Sequence, residues 1–128
     1  MIVDSSALIA VLRGEPGWEQ VAQVAVDGSC RMSTATWLEA SVVADQRAPG
    51  GGERLDDLVD ALGIELVPLS VRDAQVARLA YRRFGRGSGS QAMLNLGDCF
   101  SYALAATSGE PLLYVGDYFS ATDIASAM

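Results

Sequence analysis

The chain has 128 residues, of which half are apolar and a fifth are charged, and its formal net charge is −7 at pH 7. This length and composition predict one globular domain over residues 1–128. The sequence contains no histidine and no lysine, which excludes Ser-His-Asp, Cys-His and lysine-dependent catalysis. Carboxylates, hydroxyls, arginines or a bound metal must therefore carry any chemistry.

Two further absences bear on where the protein works. No apolar run approaches the roughly 20 residues that span a bilayer, and no basic region of the signal-peptide type begins the chain. We therefore expect a cytoplasmic protein with no membrane association. Cys30 and Cys99 lie far apart, and without histidine they cannot form a zinc site, so reduced and buried thiols are expected.

Short apolar runs alternate with helical periodicity along the chain. In chain order we expect a strand at 1–4, helices at 7–12 and 18–26, a strand at 30–33, helices at 37–47 and 53–63, a strand at 64–69, helices at 71–84 and 96–106, a strand at 112–115 and a short final element within 116–124. The predicted helix caps are Ser5 or Ser6, Thr34 or Thr36, and Asn95. APGGG at 48–52 should end one helix, and Leu79 should lie on the apolar face of another.

This alternation is typical of an α/β fold, a doubly wound parallel sheet flanked by helices. In such sheets, ligands bind outside the carboxyl ends of the strands. Asp4 stands at the carboxyl end of the first predicted strand and Asp117 two residues beyond the last, so we expect both at the same edge of the sheet.

Four acids have unusual surroundings: Asp4, Glu39, Asp98 and Asp117 lie within or directly after apolar segments. A carboxylate in apolar surroundings costs several kcal/mol unless it is hydrogen-bonded, protonated or neutralised. Each acid alone could be a helix cap or a structural hydrogen-bond acceptor. Together, with no lysine or histidine to pair with them, they suggest a site for Mg²⁺, with Mn²⁺ as a substitute, that hydrolyses phosphodiesters.

A cluster of arginines, Arg78, Arg82, Arg83 and Arg86, precedes the glycine-rich segment GRGSGS. These side chains could simply complement the dipole at a helix C-terminus. Alternatively, Arg82, Arg83 and Arg86 bind the phosphates of RNA beside the metal site. The salt dependence of RNA binding distinguishes the two interpretations.

Four blocks, MIVDSSALIAVL, STATWLEASVV, LNLGDCFSYALA and LLYVGDYFSATDI, resemble in order and spacing the PIN-domain ribonucleases, in particular the VapC toxins of bacterial toxin–antitoxin pairs. The resemblance covers essentially the whole chain. It implies a PIN-like fold, Mg²⁺-dependent endonucleolytic cleavage of RNA, a homodimer, and inhibition by a cognate VapB-type antitoxin.

By the same resemblance, Asp4 and Asp98 correspond to the principal metal ligands, and Glu39 corresponds to an acid that either completes the set of metal ligands or holds a water. Ser6 matches a small polar position that supports the first acid, although a capping role explains it equally well. Many relatives carry an aspartate directly before the phenylalanine of the last block, where this chain has Tyr118. Either Asp117 substitutes from one residue earlier, or the fourth acid is missing.

Two other functions remain to be weighed against a nuclease. A catalytically weakened PIN-like module that binds RNA or an antitoxin would account for Tyr118. A receiver-type phosphoryl-transfer domain would also carry aspartates at strand ends, but such domains need a lysine near the phosphate, and this chain has none.

Overall fold

The structure, a computed structural model, describes all 128 residues. Its elements in chain order are β1 (Ile2–Val3), α1 (Ser5–Arg13), α2 (Trp18–Asp27), β2 (Arg31–Ser33), α3 (Thr34–Arg47), α4 (Gly51–Ala61), β3 (Glu65–Val67), α5 (Val71–Phe84), α6 (Leu96–Ser108), β4 (Leu112–Leu113) and a 3₁₀ turn (Tyr118–Ala121). Each predicted strand and helix is present, and the helix predicted over 71–84 has those bounds.

The four strands form one parallel sheet in the order β3-β2-β1-β4. The chain moves outward from β1 through β2 to β3 and then returns to add β4 on the other side of β1. The direction of winding therefore reverses between β1 and β4, and such switch points are where open α/β sheets bind ligands. The predicted parallel α/β architecture is confirmed.

Successive residues of β1 point to opposite faces of the sheet, as the pleat of a strand requires. Ile2 packs with α5 and α6, where Phe84 and Leu104 are buried. Val3 packs with the helices of the other face, where Leu8 and Leu55 are buried. Because both faces are covered, the sheet is doubly wound and its short strands are buried throughout.

Two predicted caps are wrong, for one shared reason. Asp4 caps α1, with its carboxylate accepting from the backbone N–H of Ser6, and Ser33 caps α3 by accepting from Ala35. In each case the last extended residue, at or just after the end of the strand, already supplies the cap, so each helix begins earlier than predicted. The third predicted cap, Asn95, is confirmed.

Two other local predictions need correction. Gly51 and Gly52 belong to α4 rather than to the segment that ends α3, because α4 passes close to α3: a Cβ on Gly51 would lie 2.0 Å from the carbonyl oxygen of Ala44. Leu79 is 58% exposed, while Ala77 and Ala80 face the core. Because α5 packs closely on α6, the small side chains of Ala77 and Ala80 fit between the helices, whereas Leu79 points to solvent.

Both cysteines are free and buried, as predicted. Burial raises the pKa of the Cys99 thiol to about 11, so it is protonated and unreactive at neutral pH. None of the helices combines the length and the apolar character that crossing a bilayer would require.

Candidate active site

Asp4 stands at the switch point of the sheet, directly after β1, and is 2% exposed. Its Oδ1 accepts a hydrogen bond from the Ser101 hydroxyl at 2.5 Å. Its Oδ2 accepts from the Ser6 hydroxyl at 2.6 Å and the Ser6 backbone N–H at 2.9 Å. All three donors are neutral, so hydrogen bonding orients this buried carboxylate without neutralising its charge.

Ser6 does more than hold Asp4, because its hydroxyl oxygen also accepts from the backbone N–H of Val115 at 3.0 Å. Val115 follows β4, the strand beside β1. One serine therefore joins the ends of the two strands on either side of the switch point. These contacts are compatible with a residue that supports the first acid, and that role stays a prediction.

Glu39 reaches the same edge from α3. Ser5 donates to its Oε1 at 3.3 Å. Its carboxylate lies against Gly97 of α6, so closely that a Cβ there would lie 1.7 Å from Oε2. Burial and the nearby charge of Asp4 raise the pKa of Glu39, and the Ser5 hydrogen bond opposes them.

Asp98, the third residue of α6, forms a capping box with Asn95. Its Oδ2 accepts from the Asn95 backbone N–H at 2.9 Å, and its own N–H donates to the Asn95 side chain at 2.8 Å. Burial raises the pKa of Asp98 to about 6; the Asn95 hydrogen bond and Arg86 oppose this, while Asp4 and Glu39 add to it. The cap occupies one carboxylate oxygen, so Oδ1 has no protein donor.

Two residues that sequence reasoning missed complete the surroundings of Asp4. Ser101 is fully buried one helical turn after Asp98, and Thr36 is fully buried one turn before Glu39. Their hydroxyl oxygens lie 3.2 Å apart. The available signal was the spacing: a hydroxyl three residues from each acid lies on the same helix face.

The three carboxylates lie near enough for the charges of Asp4 and Glu39 to raise the pKa of Asp98, and Arg86 opposes this without pairing directly with any of them. None of the ion pairs in the structure includes Asp4, Glu39 or Asp98. No three carboxylates or thiols stand close enough to form a ready-made cage around an ion, so this is an open set of oxygen donors. Donors of this type and charge, with Gly97 leaving room for Glu39, fit a hard divalent cation.

Asp117, the fourth predicted acid, stands apart from the other three. It is exposed and precedes the 3₁₀ turn, where its backbone carbonyl accepts from Ser120. Asp117 is not among the charges that shift the pKa values of Glu39 and Asp98. Its catalytic role stays a prediction.

The predicted RNA-binding arginines differ in their surroundings. Arg83 pairs with Asp123 at 3.3 Å and lies over the ring of Phe84 at 4.6 Å, which gives it a structural role. Arg82 has no ion pair in the structure. Arg86 lies close enough to the site for its charge to lower the pKa of Asp98.

Known proteins resemble the chain over nearly its whole length. The family model described as the PIN domain matches residues 1–125. A ribonuclease VapC of Mycolicibacterium smegmatis is 45% identical over 128 residues, covering 98% of each chain. The fold matches a crystal structure of Mycobacterium tuberculosis VapC20, described as a sarcin-ricin loop cleaving toxin, with a TM-score of 0.72, 13% identity, and 96% of this chain and 95% of the other covered. It also matches a toxin–antitoxin complex from Klebsiella pneumoniae, with a TM-score of 0.68, 19% identity, and coverage of 93% and 89%.

Proposed function

The chain belongs to the PIN domain family, and we propose that it is the toxin of a type II toxin–antitoxin pair, an endoribonuclease of the VapC type. It hydrolyses RNA phosphodiester bonds at the edge of the sheet where Asp4, Glu39 and Asp98 meet. The observation that carries this proposal is the buried carboxylate of Asp4, which has three neutral donors and no protein cation.

We propose that Asp4 and Asp98 are the direct metal ligands and that Glu39 completes the site. PIN-domain VapC ribonucleases typically depend on a divalent cation. Oxygen-only donors favour Mg²⁺, with Mn²⁺ as a substitute. When bound, such a cation activates water and stabilises negative charge on the phosphate.

The protein's own contribution to this chemistry is orientation. Ser6 and Ser101 fix the two oxygens of Asp4, and the capping box fixes Asp98. Because these bonds form within the folded protein, the carboxylates do not need to be ordered when RNA arrives.

The partners are RNA and a cognate VapB-type antitoxin. We further propose a cytoplasmic homodimer, which light scattering on purified protein would test. Asp117 is proposed as an auxiliary acid that assists metal binding from the exposed turn after β4, so that its loss would make cleavage dependent on a higher metal concentration.

The test is cleavage of structured RNA, including transfer RNA, by purified protein. We expect cleavage with Mg²⁺ or Mn²⁺ and none with EDTA. Asp4→Asn should abolish cleavage while leaving the circular dichroism spectrum unchanged. Wild-type protein that binds RNA or antitoxin but cleaves no RNA at any metal concentration would replace this proposal with the binding-module alternative.

A further inference from the structure

The basic residues of this acidic chain are unevenly distributed. Five of its nine arginines lie between positions 72 and 86, in α5 and the residues just after it. The only acid in that stretch is Asp73, which is buried and accepts a hydrogen bond from Thr107 at 2.7 Å. The surface of α5 is therefore strongly positive although the whole chain carries a net charge of −7.

Two of these arginines form one face of α5. Arg78 and Arg82 are four residues apart, so they project from the same side of the helix about 6 Å apart along its axis. With Gln75 and Leu79 they line a cavity of about 350 Å³. Neither arginine has an ion pair in the structure, and Leu79, which lines the same open cavity, is 58% exposed.

The C-terminal end of α5 lies close to the segment that begins α6, the helix that carries Asp98. The residues that follow α5 run beside those that precede α6: Leu94 donates to the Phe84 carbonyl and Arg86 donates to the Leu94 carbonyl, both at 3.0 Å. Arg86 is thereby held near Asp98. Along α5, away from Arg86, come Arg82 and then Arg78, one helical turn apart, and we call these three residues the arginine face.

Complementing the helix dipole explains only part of this arrangement. The dipole effect is confined to the last turn of a helix. Arg82 and Arg83 lie in the last turn of α5, but Arg78 lies before it and Arg86 after the helix has ended. The exposed leucine in the cavity is likewise unrelated to the dipole.

We propose that the arginine face binds a single-stranded segment of the RNA substrate and leads it to the carboxylate site. Guanidinium groups at regular spacing bind successive phosphates, each with paired hydrogen bonds. The cavity offers Leu79 as an apolar contact for a base and the Gln75 amide for its polar edge. Single-stranded RNA fits this combination, because its phosphates and unstacked bases are both accessible.

This inference rests on the proposed function for its choice of RNA, but its test does not depend on cleavage. A fluorescently labelled single-stranded RNA of mixed sequence is titrated with protein in EDTA, over a series of salt concentrations. The test variant carries Arg78→Gln, Arg82→Gln and Arg86→Gln. The control variant loses the same charge from the helices on the opposite face of the sheet, through Arg13→Gln, Arg47→Gln and Arg54→Gln.

Each phosphate contact contributes about −0.7 to the slope of log K against log salt for a single strand. We therefore expect the test variant to flatten the wild-type slope by about 2, and the control variant to leave it unchanged. Equal slopes for wild type and test variant would overturn the proposal, as would an equal loss in the control. Binding of a poly-glutamate peptide at this face, with no RNA binding, would overturn it in favour of an acidic protein partner.

The outcomes also separate this inference from the nuclease proposal. Protein that binds RNA through the arginine face in EDTA, but cleaves no RNA with Mg²⁺ or Mn²⁺, keeps this inference and overturns the nuclease. A second outcome is that the wild type cleaves RNA in Mg²⁺ and the test variant binds RNA as tightly as the wild type. That outcome supports the nuclease proposal and overturns this inference.

Discussion

The hydroxyl of Ser101 donates a 2.5 Å hydrogen bond to Oδ1 of Asp4, across 97 positions of the chain. Ser101 lies on α6 one turn after Asp98, so one helix supplies both a carboxylate of the site and the group that orients another. The orientation of Asp4 therefore depends on how α6 packs against the sheet.

Replacing this hydroxyl should weaken the metal site. Ser101→Ala leaves one buried oxygen of Asp4 without a donor, which costs about 1–3 kcal/mol of stability. Loss of a group that orients a ligand typically reduces metal affinity about 10- to 100-fold. We expect the Mg²⁺ concentration for half-maximal cleavage to rise by that factor. Ser108→Ala is the control, because Ser108 is the last residue of α6 and donates to the backbone carbonyls of Leu104 and Ala105 rather than to Asp4. Equal effects in the two variants would contradict this role of Ser101.

Gly97→Ala should reduce cleavage without unfolding the protein. Alanine at this helical position ordinarily stabilises by up to about 1 kcal/mol, but its Cβ would clash with the Glu39 carboxylate. We expect cleavage at low metal concentration to fall while the circular dichroism spectrum stays native. In a Glu39→Ala background the same change should have no further effect on cleavage. An undiminished effect there would show that Gly97 acts by another route.

Asp98 should destabilise the metal-free protein at neutral pH. Its pKa is raised from 3.8 to about 6. The protonated carboxyl therefore contributes to stability below pH 4, and this contribution is lost as the group ionises while pH rises through 6. In EDTA at pH 7.5, Asp98→Asn should therefore raise the free energy of unfolding by about 1–2 kcal/mol, allowing for partial solvent screening. The same variant should lose cleavage.

Urea unfolding at pH 4 and pH 7.5 measures the Asp98 effect. The gain should disappear at pH 4, where the wild-type carboxyl is protonated as well. Asp57→Asn, on the exposed surface of α4, is the matched control. A stabilisation of equal size at both pH values would assign the effect to capping rather than to charge.

Asp117 should matter less than Asp98. Because it stands apart from the other acids, we expect Asp117→Asn to raise the Mg²⁺ requirement while leaving the maximal cleavage rate within about 10-fold of wild type. Cleavage measured over a series of Mg²⁺ concentrations separates the two quantities. A collapse of the maximal rate at saturating Mg²⁺ would instead place Asp117 among the direct metal ligands.

An ion pair far from the site should govern acid stability. Glu110 bonds to Arg31, which holds the pKa of its carboxyl down at about 2. The resulting stability is present above pH 4.5 and is lost as pH falls towards 2. We expect Glu110→Gln to cost about 1–2 kcal/mol at pH 7 and much less near pH 2, by urea unfolding. Glu15→Gln, which breaks an exposed pair with Arg13, should cost less than about 0.5 kcal/mol.

The sequence by itself determined the α/β architecture and the acids worth testing. Helical and strand periods are local properties, and they predicted α5 with its observed bounds. The absence of lysine and histidine is likewise visible without a structure. Because neither residue can neutralise Asp4 in its apolar surroundings, a bound metal was the predicted partner. Caps were less predictable, because Asp4 and Ser33 each end an extended segment and begin a helix.

Only the tertiary structure decided which residues share the site. Ser101 reaches Asp4, and Gly97 makes room for Glu39, because the sheet order brings β1, α3 and α6 together. The same packing leaves Asp117 exposed. These contacts join residues far apart in the chain, so they depend on strand order and helix packing, which no local pattern of side chains encodes.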